Sequence, residues 1–284
     1  MPTVDHLRAP AKLTRSLRIV GVRDDGYHLL EAEMATIELA DELEIEAGAD
    51  GFELVDELAF VVGGDGAAPG DAQGRDGTGA LGVSTVPPGQ DNLVLRALAA
   101  VGRRARVKLK KRIPAGAGLG GGSSDAAAVL RWAGALDPDL AARLGADVPF
   151  CVVGGRALVT GIGERVEALA FEPFTAVLVT PALSVATPAV YKAWDTLGGP
   201  VGEHGNDLEP AALVFEPRLA WWRDLFSDVA GARPHLAGSG GTWYLERPPQ
   251  VAGRLVAELK QAVQAEHARA LVVAAASTPA PERP

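Results

Sequence analysis

The chain has 284 residues, 48% apolar and 22% charged, with a net charge of -9. That length and balance suit a soluble protein with a real core, in one large domain or two ordinary ones. They argue against nucleic acid as the main partner, and the single cysteine, Cys151, excludes an internal disulfide.

In chain order, residues 11–22 alternate as a strand, with Ala11, Leu13, Leu17 and Ile19 on one face and Lys12, Thr14 and Ser16 on the other. Asp24-Asp-Gly-Tyr-His28 reads as a turn, and Leu29–Leu39 and Asp41–Glu46 as two further strands. The stretch 63–82, rich in Gly, Ala and Asp, reads as a long surface loop. Gln90-Asp-Asn92 starts a helix over 93–101. A basic strand follows, in which Arg104, Arg106, Lys108 and Lys110 share the solvent face. Lys111 and Arg112 abut the next segment and are the better candidates for binding.

That segment, Pro114-Ala-Gly-Ala-Gly-Leu-Gly-Gly-Gly-Ser-Ser-Asp125, lies between the strand and a helix over 126–132. Gly116, Gly118, Gly120, Gly121 and Gly122 let the backbone approach a ligand closely, and Ser123 and Ser124 are good helix N-caps. A glycine loop emptying into a helix N-terminus aims unpaired N–H groups at one spot, where phosphate binds. The loop from Pro114 through Leu119 to Ser124 is therefore the candidate phosphate site. It is not a P-loop, because no lysine occurs between 112 and 191. Gly116, Gly118 and Gly121 match the letters of the dinucleotide fingerprint, but Ala135-Leu-Asp-Pro-Asp-Leu140 is a turn where a strand ending in an acid belongs. A protein-kinase reading lacks its Val-Ala-Ile-Lys strand and His-Arg-Asp loop.

Farther on, 140–144 is helical, 176–180 a strand, 188–197 a helix, 213–229 a helix carrying core Trp221, Trp222, Leu225 and Phe226, 243–246 a strand and 251–270 a closing helix. Gly238-Ser-Gly-Gly241 is a second glycine knot. Composition changes near 165–175, so the expected architecture is α+β with domains over 1–165 and 166–276 and a disordered tail over 277–284. Cys151, between apolar neighbours, reads as a buried structural thiol. The five histidines show no metal-ligand spacing. With neither a signal peptide nor an apolar run of about 20 residues, the expectation is a cytoplasmic protein off the membrane.

Several motifs together resemble the superfamily of galactokinase, homoserine kinase, mevalonate kinase and phosphomevalonate kinase (the GHMP kinases), and within it the family of bacterial 4-diphosphocytidyl-2-C-methyl-D-erythritol kinases. They are Ala9-Pro-Ala-Lys-Leu13, Asp25-Gly-Tyr-His28, the stretch Lys111 to Ser124, Leu144-Gly-Ala-Asp-Val-Pro149, Gly205-Asn-Asp-Leu-Glu209 and Gly238-Ser-Gly-Gly241. The resemblance implies two α+β domains with the active site in the cleft between them. It implies transfer of the γ-phosphoryl group of ATP, with Mg²⁺, to a hydroxyl of a cytidine diphosphate-linked alcohol, in the non-mevalonate route to isoprenoid precursors.

By the same resemblance Asp147 and Lys12 are catalytic, although Asp147 reads equally well from the sequence as a turn cap before Pro149. Lys111 lies near the nucleotide, and Ser124 or Ser123 reaches the metal. Thr14, Tyr27, His28, Tyr191, Gly238, Ser239 and Gly240 belong to the substrate side. His28 bonds the cytosine and Tyr191 stacks on it, a contact worth about 1–3 kcal/mol per base. Three departures stand out: Thr14 where the family usually has asparagine, Arg15 and Ser16 where it has apolar residues, and bulky Trp243 and Tyr244 after the second knot. The alternatives are another small-molecule kinase of the superfamily (homoserine, mevalonate-type or sugar), a superfamily decarboxylase, or an inactive nucleotide-binding relative. The protein is expected as a monomer or homodimer.

Overall fold

The computed structural model describes residues 3–62, 89 and 91–281. The expected loop over 63–82 lies outside the described residues. Strand β1 (Val4–Val22) pairs antiparallel with β2 (His28–Ala47) along its whole length. The two strands expected over 29–46 are thus one. On its other side β2 carries β6 (Arg156–Gly161) against its first half and β5 (Ala105–Lys111) against its second. Two partners in tandem let a single twenty-residue strand serve as the spine of the sheet. β3 (Gly51–Asp56) and β7 (Arg165–Leu169) close the edges.

The basic strand behaves as its alternation predicts: Ala105, Val107 and Leu109 are buried and the cations face out. Those cations meet an acidic stripe on their neighbours, with Arg106 on Glu46, Lys110 on Glu44 and Lys108 on Glu53. The ladder neutralises itself and is no patch for a ligand.

Helices α1 (Leu93–Ala100), α2 (Gly121–Trp132), α3 (Pro138–Leu144) and α4 (Val148–Val153) cover this sheet. Asn92 caps α1 by accepting from the Val94 amide at 2.9 Å. α2 starts five residues before the expected 126, at Gly121, with Gly120 as its N-cap in the left-handed region (φ 66°). Ser123 and Ser124 therefore lie inside the first turn and do not cap it.

A second sheet is ordered β4–β11–β8–β10–β9, from Val61–Val62, Arg269–Ala276, Thr175–Pro181, Trp243–Glu246 and His235–Leu236. Helices α5 (Thr187–Thr196), α6 (Glu209–Phe215), α7 (Arg218–Ala230) and α8 (Pro249–Ala265) belong to this half. The helix expected over 213–229 is broken between α6 and α7 at Pro217, because proline lacks an N–H and clashes with the preceding turn. Trp222 and Phe226 are buried as expected, while Trp221 is 37% exposed and packs edge-on against Trp222.

The closing helix also stops early. It ends at Ala265, the chain turns at His267 with a positive φ, and Ala270-Leu-Val-Val-Ala becomes an interior strand. Burial of Leu271 and Val272 against β8 outweighs the helix preference of the surrounding alanines. β4 lies in the first half of the chain but pairs with β11, and the start of the expected tail is held too: the Ser277 amide donates to Phe174 O and the Thr278 amide to Thr36 O. A segment with no core of its own finds backbone partners on β2 and just ahead of β8. The result is an α+β fold of two domains, each built on its own sheet.

Candidate active site

The two glycine knots are pressed together. A Cβ built on Gly240 would lie 2.2 Å from Gly118 Cα, and one on Gly118 would lie 2.5 Å from Ala237 O. Gly118 also has φ +79°, so both space and conformation require glycine there. Thr242 ties the same junction by donating to Ala117 O at 2.8 Å. Asn206 donates to Leu236 O and Gly238 O at 3.0 and 2.7 Å and so splints the second knot. Its neighbour Asp207 binds Arg18, the Ile19 amide and the Gly202 amide. The motif Gly205–Glu209 thus joins the second domain to β1.

At this junction the Lys12 amide donates to Leu119 O at 3.0 Å, holding β1 against the first knot. The side chain of Lys12 runs under the knot, since a Cβ on Gly120 would lie 2.7 Å from Lys12 Cγ. Its ammonium donates to Thr14 Oγ1 at 3.0 Å and pairs with Asp147 Oδ2 at 3.4 Å. A Cβ on Gly238 would be 3.6 Å from Lys12 Nζ and 3.4 Å from Thr14 Oγ1. Thr14 therefore steadies the lysine with a hydroxyl. Asp147 sits at the N-terminus of α4, but its side chain makes no capping hydrogen bond. The turn-capping alternative is not the one adopted. The carboxylate is one-third exposed (34%) while the lysine is buried (7%), so the pair opens to solvent on the acid side.

Beside this pair, α2 presents its N-terminal turn. Its first amides have no acceptor within the helix, and the positive end of the dipole adds to them. Pro114 and Leu119 are buried and anchor the loop, while Gly116 and Gly122 are exposed. Two expectations are corrected here. Ser124 is buried and its hydroxyl donates to Pro10 O at 2.6 Å, so it is not presented to a metal, and Ser123 is the hydroxyl left at the rim. Lys111 does not face a phosphate. It is enclosed by Asp41 and Asp125, and Asp41 also accepts from the Arg112 and Ile113 amides.

Burial alone would depress the Lys111 ammonium, but the charges of Asp125 and Asp41 overcome it and raise it above its ordinary value. Burial pushes the Asp125 carboxyl up to about 7 against the pull of Lys111. Arg112 likewise pairs with Glu42 and Glu57. Near the same loop, burial pushes the Cys151 thiol up to about 12, which makes it an inert structural group.

A second cluster lies on α5. The ring of His28 is 4.8 Å from that of Tyr191 and stands edge-on to Trp194 at 5.4 Å. His28 Nε2 is 2.7 Å from Asp195 Oδ1. Tyr191, Trp194 and Asp195 follow the i, i+3, i+4 pattern of one helix face, the signal by which the last two could have been found. Burial, and then the charge of Asp147, push the Tyr191 phenol up to about 12. Ser239 ties this helix to the second knot through Thr187 at 2.8 Å. Tyr27 is 58% exposed and makes no ring contact among the described residues. Among these residues no group of three or more His, Cys, Asp or Glu could hold a metal ion, and no helix is long and apolar enough to cross a membrane.

Residues 92–155 match the family model for the GHMP kinases N-terminal domain. The chain is 35% identical to a 4-diphosphocytidyl-2-C-methyl-D-erythritol kinase of Pelotomaculum thermopropionicum, covering 87% of this chain and 92% of that one. It is 36% identical to the kinase of the same name from Bordetella pertussis, over 87% and 83% of the two chains. A crystal structure of 4-(cytidine 5'-diphospho)-2C-methyl-D-erythritol kinase superposes with a TM-score of 0.70 at 32% identity, covering 96% of this chain and all of that one (100%). L. major mevalonate kinase, at 14% identity and a TM-score of 0.59, shares the fold.

Proposed function

The chain belongs to the family of 4-diphosphocytidyl-2-C-methyl-D-erythritol kinases, and from that premise we propose how its residues divide the work of the reaction. The reaction is the ATP-dependent phosphorylation of a hydroxyl of 4-diphosphocytidyl-2-C-methyl-D-erythritol, a step toward isoprenoid precursors. The relatives' names favour it over the homoserine, mevalonate-type and sugar kinases of the superfamily, and over an inactive relative.

The observation that carries the assignment of roles is the uncapped Asp147 carboxylate paired with buried Lys12 beside the N-terminal turn of α2. Asp147 accepts the proton of the attacking hydroxyl as the new O–P bond forms and the bond to the leaving ADP breaks. Lys12 holds Asp147 in place and offsets the negative charge gathering on the transferred group. The amides of Gly121, Gly122 and Ser123 receive the phosphates of ATP, and the contact between Gly118 and Gly240 keeps the two knots in register around them.

Mg²⁺ supplies charge neutralisation on those phosphates. The residues here fit a metal that arrives on ATP, with Ser123 as the nearby hydroxyl, better than a resident ion held by carboxylates. His28 and Tyr191 take the cytosine, with Gly238, Ser239 and Gly240 along the substrate's phosphates. The lone buried thiol suits a reducing cytoplasm.

The test is ADP release with Mg·ATP in the presence and absence of the cytidyl substrate, with mevalonate, homoserine and galactose alongside. Release should depend on the cytidyl substrate and vanish in Asp147→Asn while ATP binding persists. Turnover of another alcohol and none of the cytidyl compound would overturn the reading.

A further inference from the structure

We infer that Asp195 sets which pyrimidine the site accepts, by deciding which nitrogen of His28 carries the proton. The inference rests on the reading that His28 meets the base. An ionised carboxylate only accepts hydrogen bonds, so Asp195 Oδ1 at 2.7 Å requires a proton on Nε2. In the neutral ring Nδ1 is then a bare acceptor. It makes no hydrogen bond among the described residues.

The ring is held in that pose. Its side chain is only 10% exposed, with Tyr191 against one face and Trp194 edge-on. A half-turn about χ2 would break the bond to Asp195. The Asp195 carboxylate itself is 53% exposed and meets the ring at Nε2, leaving Nδ1 to face a ligand.

The consequence is chemical. Cytosine presents an amino group, a donor, where uracil presents a carbonyl oxygen, an acceptor. An imidazole with a free lone pair on Nδ1 pairs with the amino group and repels the carbonyl. Were the proton on Nδ1, the preference would reverse. Stacking on Tyr191 cannot make this choice, because every base offers a π-face. Asp195 is therefore a positioning residue that supplies base discrimination.

The experiment compares kcat/KM for the cytidyl substrate and its uridyl analogue in the wild type, Asp195→Asn, Asp195→Ala and Asp195→Glu, at about pH 8.5, above the ordinary imidazole range. An amide donates as well as it accepts, so Asp195→Asn releases the demand for a proton on Nε2. The cytidyl-over-uridyl ratio should fall about ten- to a hundred-fold in Asn and Ala, the size expected for one mismatched hydrogen bond. The loss should fall in KM rather than kcat, and Asp195→Glu should restore part of the ratio. Long-range ¹⁵N–¹H correlation spectra, with the His28 signal assigned through His28→Gln, should show the Nε2–H tautomer in the wild type and a mixture in Asp195→Asn.

An unchanged ratio, an equal loss on both substrates, or an Nδ1–H tautomer in the wild type would overturn the inference while leaving the kinase reading intact. A wild type inactive on the cytidyl substrate removes both, and is recognised because no ratio then exists to shift.

Discussion

Lys12 and Lys111 lie on two sides of the same glycine knot, both buried and both beside carboxylates, yet their surroundings differ. Lys111 sits between Asp41 and Asp125, which are 0% and 2% exposed, and nothing in that cluster reaches solvent. Lys12 has one carboxylate, Asp147, and that partner is a third exposed. A closed cluster of one cation and two anions can only brace: it ties the end of β5 to the middle of β2 and to α2 beneath the loop. A cation with one open partner can act on something that enters. Identical chemistry thus yields a closed strut on one side and, on the other, an open pair to which we assign the reaction. Exposure of the partner, rather than of the lysine, separates them.

Exchanging each lysine for methionine should separate stability from turnover. Lys12→Met should lower turnover by roughly 10²–10³-fold, the size of losing one preorganised electrostatic contact, with the unfolding midpoint nearly held. Lys111→Met should instead cost about 3–5 kcal/mol in denaturant unfolding, because two carboxylates are left buried without a cation. A stable, inactive Lys111→Met protein would break the comparison and return Lys111 to the phosphate site.

The closed cluster should also be visible in the pH dependence of stability. The Asp125 carboxyl is raised to about 7 in the folded chain and lies near 4 when unfolded, so between those values the folded state binds the extra proton. Its contribution is fully present at the acid end and is lost as pH rises toward 7. Asp125→Asn lacks that titration, and its Oδ1 counterpart has no hydrogen-bond partner to lose. The stability of the wild type relative to this variant should therefore fall from about pH 4 to about pH 7 and level off above. A difference flat across that window would show that the carboxyl titrates normally.

The smallest effect is expected at Arg15. The guanidinium binds Glu246 through Nε and Nη2 at 2.7 and 3.0 Å and Glu33 at 2.6 Å, and lies over the Phe174 ring, linking the two sheets. Arg15→Leu should cost about 1 kcal/mol, less at high salt, and leave kcat unchanged, since Glu33 keeps Arg156. A fall in kcat would mean that this link also sets the closure of the two halves.

Much of the site was legible as sequence because glycine and helix-start chemistry act locally. The glycine turn ahead of α2, the helix start after Asn92 and the alternation of β5 stand as read. The misses have long-range causes. Ser124 looked like a cap until the helix began at Gly121 and the hydroxyl met Pro10. Residues 266–270 looked helical until the chain turned at His267 and β8 supplied a strand edge. Trp194 and Asp195 carried only the spacing of one helix face, which by itself names no partner.

The amino-acid sequence by itself determined that this chain has a glycine loop running into a helix start, a net negative charge and the motifs of a small-molecule kinase. These properties reside in residue type and short spacing. Tertiary structure alone decided that Lys111 is enclosed by two buried carboxylates while Lys12 meets an open one, which serine stays at the rim and which carboxylate meets His28. Charges and hydroxyls acquire their roles from what is brought within about 3 Å of them, and here that means groups from distant parts of the chain: Asp41 lies 70 residues from Lys111 and Asp195 lies 167 from His28.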